Sequence, residues 1–276
     1  VSESFRTVER VLVDGALRRP GVDLAAVEEP LQVCLHGEPF AVIMRTPGAE
    51  IELAAGFLLS ERVIDGLDDV GTIEHGGCTG PVEAQNLVNV HLARRAAARL
   101  PSILADRRQV TTASACGLCG RRTVESLRSG LPPVSPGGRL TAAVLRELPQ
   151  SLGDSQVVFR ETGGLHAAGL FDFGGRQTIV AEDVGRHNAV DKAVGRMLLD
   201  GRLPLASHVL FVSGRSSYEI VQKAFIAGIP IVASVSAPST LAIDLAAEAG
   251  ITLAGFVRGD RFTVYTHPER ITDGPA

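Results

Sequence analysis

The chain has 276 residues, 45% of them apolar, enough to bury a core in one large or two ordinary domains. Lys and Arg total 27 against 31 Asp and Glu, and the net charge of -4 argues against a general nucleic-acid binder while leaving room for a local basic pocket. No apolar run is long enough to span a bilayer, and the opening Val-Ser-Glu-Ser-Phe-Arg-Thr-Val-Glu-Arg lacks the apolar stretch of a signal peptide, so a cytoplasmic protein without a membrane partner is expected.

The first hundred residues are β-rich and mixed. Leu31 to Leu35 alternate, His36-Gly37-Glu38-Pro39 is a turn, and Phe40 to Met44 run apolar again, which predicts a hairpin. Leu53, Phe57 and Leu58 within Glu50 to Ser60 suit a helix. Gly76 to Pro81 is a loop and Leu87 to Leu92 a strand. Residues 130–138, Gly-Leu-Pro-Pro-Val-Ser-Pro-Gly-Gly, connect two elements, and a domain boundary is placed near 108. The C-terminal part is more regular. Gln177 to Ala181 predicts a strand, followed by a helical stripe of Ala189, Val190, Ala193, Val194, Met197 and Leu198 that Gly201 stops. His208 to Val212 is a strand. Ser216-x-x-Glu219 has the form of a capping box opening a helix that Gly228 ends. Ile229 to Val235 is a strand, Ser239 caps a helix with Leu241, Ala242, Leu245 and Ala246 inward, and Ile251 to Val257 and Phe262 to Tyr265 close the chain as strands. The expected fold class is α/β, a layered-sheet C-terminal domain (109–276) preceded by a smaller β-rich α+β domain (1–108).

Ligands of such sheets bind in loops beyond the carboxyl ends of strands. Four loops hold that position: 182–188, 213–217, 236–239 and 258–261. Arg186, Arg215, Arg258 and Arg261 can pair with phosphate oxygens, Ser213, Ser216 and Ser217 can donate further hydrogen bonds, and three of the loops precede helices whose amides attract anions. Turn chemistry alone explains any single loop; four on one edge point to a phosphate-bearing ligand such as a nucleotide. No P-loop and no G-x-G-x-x-G is present.

Four cysteines in so long a chain do not make a disulfide framework, and Cys34 and Cys78 read as ordinary small residues. Cys116 and Cys119, in Ser-Ala-Cys-Gly-Leu-Cys-Gly (114–120), are different. Glycines and Arg121 and Arg122 beside them favour an exposed thiolate that carries something. Metal binding by this pair is not expected. His36-x-Glu38 with Cys116-x-x-Cys119 superficially matches a zinc deaminase signature, but Ala115 stands where that signature has proline, and the halves lie far apart. His166 and His187, in glycine-rich settings, are acid/base or hydrogen-bonding candidates, against the plainer reading of satisfied structural histidines. Asp183, Asp191 and Lys192 belong to a polar network or to a solvated helix face, the latter at least as well for Lys192.

These motifs resemble the FdhD family of sulfur carriers and formate dehydrogenase accessory proteins. The likeness runs through residues 44–48 (Met-Arg-Thr-Pro-Gly), 54–58, 114–120, 162–168 (Thr-Gly-Gly-Leu-His-Ala-Ala), 182–192, 213–219 and 265–270. The resemblance implies a homodimeric sulfurtransferase whose larger domain is like cytidine deaminase without the catalytic zinc. It implies that sulfur comes from a cysteine desulfurase as a persulfide on Cys116, with Cys119 its partner. The recipient is the molybdenum (or tungsten) bis(molybdopterin guanine dinucleotide) cofactor of formate dehydrogenase. Phe256, Val257, Arg258, Gly259, Asp260 and Arg261 match the family's cofactor-binding stretch. On the residues' own chemistry Ser213, Gly214, Arg215, His166 and His187 join them around a phosphate-bearing ligand, which the resemblance implies is a GDP-like moiety. Two readings compete: a non-catalytic cofactor-binding chaperone, and a zinc-dependent deaminase-like hydrolase.

Overall fold

A computed structural model of the chain describes residues 4–78, 84–108, 132–135 and 138–274. The chain opens with an antiparallel ribbon, β1 (Phe5–Asp14) and β2 (Leu17–Ala26), exposed over most of its length. Next come β3 (Glu29–Leu35), β4 (Glu38–Arg45), α1 (Glu50–Ser60), β5 (Val70–His75), β6 (Leu87–Leu92) and α2 (Arg94–Arg108). The predicted hairpin is β3–β4. Its two-residue turn places His36 at φ 52° and Gly37 at φ 86°, the left-handed pair that a tight hairpin requires. These strands form a four-stranded sheet ordered β4-β3-β6-β5, with β3 and β6 parallel.

The second half contains β7 (Leu140–Thr141), α3 (Ala142–Ser155), α4 (Val157–Thr162), β8 (His166–Asp172), β9 (Gln177–Asp183), α5 (Arg186–Leu199), β10 (His208–Val212), α6 (Tyr218–Ile226), β11 (Ile231–Ser234), α7 (Thr240–Ala249), β12 (Thr252–Arg258), β13 (Arg261–Thr266) and β14 (Ile271–Thr272). Six of the strands form a mixed sheet ordered β13-β12-β11-β10-β8-β9, while β14 pairs with β7. β10, β11 and β12 are parallel. β8 runs antiparallel to both β10 and β9, so β9 points the same way as the parallel three. Alternation along β10 sends Leu210 and Val212 into one core and Val209 and Phe211 into the other. Leu145, Leu148 and Leu152 of α3 cover the second face. Residues of α5, α6 and α7 cover the first, and that core continues without a break through α1 to Leu31, Val33 and Val88 of the four-stranded sheet. Mixed α/β layering is therefore present.

Two glycines set how closely the halves approach. A Cβ added to Gly56 of α1 would collide with the Asp191 carbonyl oxygen, and one added to Gly195 of α5 with the Glu52 carbonyl oxygen. The helices thus touch backbone to backbone, an approach that any side chain at either position would prevent.

Four sequence expectations are corrected. Cys34 and Cys78 are not ordinary small residues: they form a disulfide, with Cα atoms 6.1 Å apart. The chain leaves β5 through Gly76 and Gly77, both at positive φ, and Gly77 lies beside Asn89 of β6, the residue registered with Cys34, a meeting that no local spacing announces. The capping box does not form, because the N-cap of α6 is Ser217 and makes no side-chain bond, whereas Ser216 is fully buried and bridges to Pro238. Leu241 faces outward at 59% exposure, though Ala242, Leu245 and Ala246 are buried and Ser239 caps α7 as expected. Lys192 is not on a solvated face but only 4% exposed.

Replacing Gly195 by Ala should lower chemical-denaturation stability by about 2 kcal/mol or more, because the clash is with backbone and outweighs the gain in helix propensity. An unchanged midpoint would mean that α1 and α5 separate at no cost. Non-reducing peptide mapping should recover Cys34 linked to Cys78, and reduction should cost about 2–4 kcal/mol, as expected for a bridge closing a loop of this size.

Candidate functional site at the carboxyl edge of the six-stranded sheet

Because β9, β10, β11 and β12 share a direction, their carboxyl ends open onto one edge. Antiparallel β8 starts there, so His166 pairs with Asp183 at the end of β9. The edge therefore gathers loops 182–188, 213–217 and 236–239, His166, and the β12–β13 turn. Residues 213–217 are tied to β8 on one side, with Ala167 N donating to Ser213 Oγ at 2.9 Å and Ser213 N to Ala167 O. On the other side Ser239 N donates to Ser216 O. Loop 236–239 is joined to β12 by a bond from Phe256 N to Ser236 O, and Arg258 Nε donates to Val235 O.

Asp183, fully buried, organises the first loop. Its Oδ1 accepts from Gly185 N and Asn188 Nδ2, both at 2.8 Å, and its Oδ2 meets Lys192 Nζ at 2.8 Å. The N-terminal half buttresses the same loop. Thr46 N donates to Asp183 Oδ2, Thr46 Oγ1 accepts from Val184 N, and Thr46 O accepts from Lys192 Nζ. Arg45, fully buried, contacts Glu29, Glu50 and Asn86 behind it. Met-Arg-Thr-Pro-Gly (44–48) is thus a brace for the edge loop, a role its sequence did not announce.

The electrostatics favour an anion. Arg186 begins α5, and its Nε is buried with no hydrogen-bond partner among the described residues. Arg215 is exposed. The N-caps of α5 and α6 are Gly185 and Ser217, and neither side chain makes a cap bond, so both helices bring their positive ends to the edge uncapped. Burial, then Arg186 and Arg215, holds the His166 pKa below its ordinary range. His187 lies 3.2 Å from both Ser217 Oγ and Glu219 Oε2, the two contacts meeting Nε2. Burial first, then Lys223, Arg186 and His166, takes His187 from 6.5 down to about 3. Burial takes Glu219 the other way, from 4.5 up to about 7, against the pull of Lys223 and Arg186. Although the pair is within ion-pair distance, a neutral imidazole is the state these surroundings favour. Deeper still, Lys223 Nζ donates to both Asp191 oxygens at 2.7 Å, and Ser60 Oγ donates to Asp191 Oδ1. Neither Glu219 nor Lys223 was foreseen as part of the site; a carboxylate and an ammonium four residues apart on a mostly apolar helix were the available signal.

Of the predicted site residues, Ser213, Gly214, Arg215, His166 and His187 come together. Gly214 packs against the His166 ring, where a Cβ would stand 3.4 Å from Nδ1. Phe256, at φ 54°, is 43% exposed, Arg258, Gly259, Asp260 and Arg261 are exposed at the β12–β13 turn, and Val257 is buried in the second core. Cys116 and Cys119 lie outside the described residues. Among the described residues no three His, Cys, Asp or Glu side chains are grouped to hold a metal ion, and no helix is long and apolar enough to cross a membrane.

Fold and edge together define a layered α/β protein whose polar loops and cationic side chains collect at one end of a mixed sheet. The family model described as the FdhD/NarQ family matches residues 26–272. The sulfur carrier protein FdhD of Nocardia farcinica is 46% identical over 272 residues, covering 96% of this chain and 94% of that protein. The FdhD of Streptomyces coelicolor is 48% identical, covering 94% and 92%. Among solved structures, a protein from Desulfotalea psychrophila assigned as a formate dehydrogenase accessory protein superposes with a TM-score of 0.76 at 26% identity, covering 98% of this chain and all of that one. This chain belongs to the FdhD/NarQ family.

The two shifted groups give opposite pH slopes. Folded His187 stays neutral where the unfolded chain takes up a proton, so its contribution is lost as pH falls from 6.5 toward about 3. Folded Glu219 keeps a proton that the unfolded chain releases, so its contribution is lost as pH rises from 4.5 through about 7. Urea midpoints measured across this range should decline less on the acid side for His187→Asn than for the parent. For Glu219→Gln they should decline less on the rise from 4.5.

Proposed function

We propose that this protein is a sulfur carrier that serves the maturation of formate dehydrogenase. It receives sulfur from a cysteine desulfurase as a persulfide on Cys116. It passes that sulfur to a molybdenum bis(molybdopterin guanine dinucleotide) cofactor held as cargo at the sheet edge. Membership of the FdhD/NarQ family, with curated relatives named sulfur carrier proteins, is the observation that carries the reading.

The chemistry of the chain supports each part. A thiolate at Cys116 attacks the outer sulfur of the donor persulfide; a new S–S bond forms, the donor's S–S bond breaks, and the donor cysteine leaves as a thiolate. The arginines at 121 and 122 favour the ionised nucleophile. A guanine dinucleotide brings phosphates, and the edge offers Arg186, Arg215, two helix N-termini without side-chain caps and the serines of 213–217. The β12–β13 turn adds Arg258 and Arg261, with exposed Phe256 able to stack on a base. The same reading takes the larger sheet as related to cytidine deaminase and the working form as a cytoplasmic homodimer.

The alternative is a cofactor chaperone in which the cysteines only help to hold the cargo. Intact-mass measurement after incubation with a desulfurase and cysteine separates the two. The parent and Cys119→Ala should gain one sulfur mass and Cys116→Ala should not; no gain in any variant, with a competent desulfurase, favours the chaperone. In parallel, Arg215→Ala should weaken GDP binding roughly tenfold or more, the loss of a charge-assisted bond to phosphate.

A further inference from the structure

The outer half of the β1–β2 ribbon is exposed, yet strand pairing sorts its side chains. Residues directly opposite each other in an antiparallel pair share a face. In the ribbon's register Val13 pairs with Arg18, Val11 with Pro20, Glu9 with Val22, Thr7 with Leu24 and Phe5 with Ala26. One face therefore collects Val11, Val13, Pro20 and Val22, with Leu24, Phe5 and Ala26 toward the base. The base is partly covered: Phe5, Leu24 and Ala26 are half-buried, and Ala26 lies beside Gly164, just beyond α4. The outer three rows are not covered, with Val11 56%, Val13 54% and Val22 65% exposed. Neither strand announces this stripe alone, because Val8 and Leu12 of β1 fall on the opposite face.

A two-stranded ribbon is marginal in water by itself, and a continuous exposed apolar face marks a contact surface. Its charges indicate the partner. On the opposite face Arg10 and Asp23 pair within the ribbon at 3.1 Å. The apolar face carries one acid and one base, Glu9 and Arg18, and neither has an ion-pair partner among the described residues. They stand one row to either side of Val11 and Pro20. A second ribbon turned end for end about that row lays its Val13–Arg18 row over Glu9 and Val22, and its Glu9–Val22 row over Val13 and Arg18. Each Arg18 then lies one strand spacing, about 4.8 Å, to the side of the other copy's Glu9, within reach of an arginine. Both charge pairs form together, as a two-fold axis requires, and the valines close over one another. Pro20 lacks the N–H that strand addition at the β2 edge would use, which favours joining by the face.

We infer that the outer face of the ribbon is a contact between two copies of this chain, with valines at its centre and Glu9 of each copy against Arg18 of the other. The inference rests on the homodimeric reading of the sulfur carrier and deepens it by naming a surface. Three rows by two strands make a patch of roughly 20 Å by 10 Å. That is well below the about 800 Å² per partner of a standard interface, so the contact associates in the micromolar range.

Sedimentation velocity of the whole chain, from about 1 to 100 μM, tests it. The parent should be dimeric at the upper end. Val11→Asp and Val22→Asp place a carboxylate in the middle of the contact and should weaken association about tenfold or more. Leu12→Asp makes the same kind of change on the opposite face and should leave association unaltered, with circular dichroism confirming that all three variants keep the fold. Glu9→Arg and Arg18→Glu should each weaken the dimer severalfold, and the double variant should recover most of the loss. A parent monomeric throughout, a dimer indifferent to Val11→Asp and Val22→Asp, an equal effect of Leu12→Asp, or a charge exchange without recovery overturns the inference. Persulfide loading of Cys116 in the same proteins keeps the two readings apart. Loading without the contact removes this surface and leaves the carrier; the contact without loading does the reverse.

Discussion

The position of α5 depends on the contact between Gly56 and Gly195, where two helices meet backbone to backbone. Contact this close leaves little freedom to slide. The charges on α5 remove the freedom to rotate. Lys192 reaches Asp183 and the carbonyls of Thr46 and Glu182, and Asp191 reaches Lys223 and Ser60. Buried charges are tolerated only when paired and hydrogen-bonded, so a turned helix would strand at least one of them. The first turn of α5, with Arg186 and His187, is therefore delivered to the sheet edge in one orientation.

The N-terminal half is part of the site's support although it supplies none of the ligand-facing groups named here. Arg45 and Thr46 lie at the end of β4 and just beyond it, and α1 follows directly. The segment that carries the helix crossing thus also carries the brace on the 182–188 loop. Removing the Thr46 contacts would leave Val184 N and the Lys192 ammonium short of partners close to the edge. Against this rigid background the edge is chemically uneven: fixed guanidinium charge, uncapped amides, two histidines held neutral and one carboxyl group held toward its acid form by burial. Such a surface can receive negative charge, because its buried Asp183 carboxylate is already paired with Lys192.

Strands buried on both faces were the easiest elements to foresee. His208 to Val212, apolar from Val209 onward, forms β10 with those same limits. Elements lacking an apolar period were missed. The β1–β2 ribbon is exposed on both faces, so its sequence shows no inward stripe. The apolar run of β8 was noticed only as part of a glycine-rich motif. Local chemistry also misled where two residues could do one job: Ser216 and Ser217 can each open α6, and burial of Ser216 against Pro238 decides for Ser217.

By itself the sequence determined the alternation of strands and helices, the four polar loops and the family likeness, because periodicity, turn residues and motif order are local properties. Only the tertiary structure decided that β8 runs against its neighbours, which brings His166 to the same edge as His187. It also decided that Cys34 meets Cys78 and that Glu219 lies against an imidazole. These are contacts between residues distant in the chain or turned toward each other by packing. They depend on strand order and on the depth at which a helix settles, which the spacing of residues along a chain does not encode.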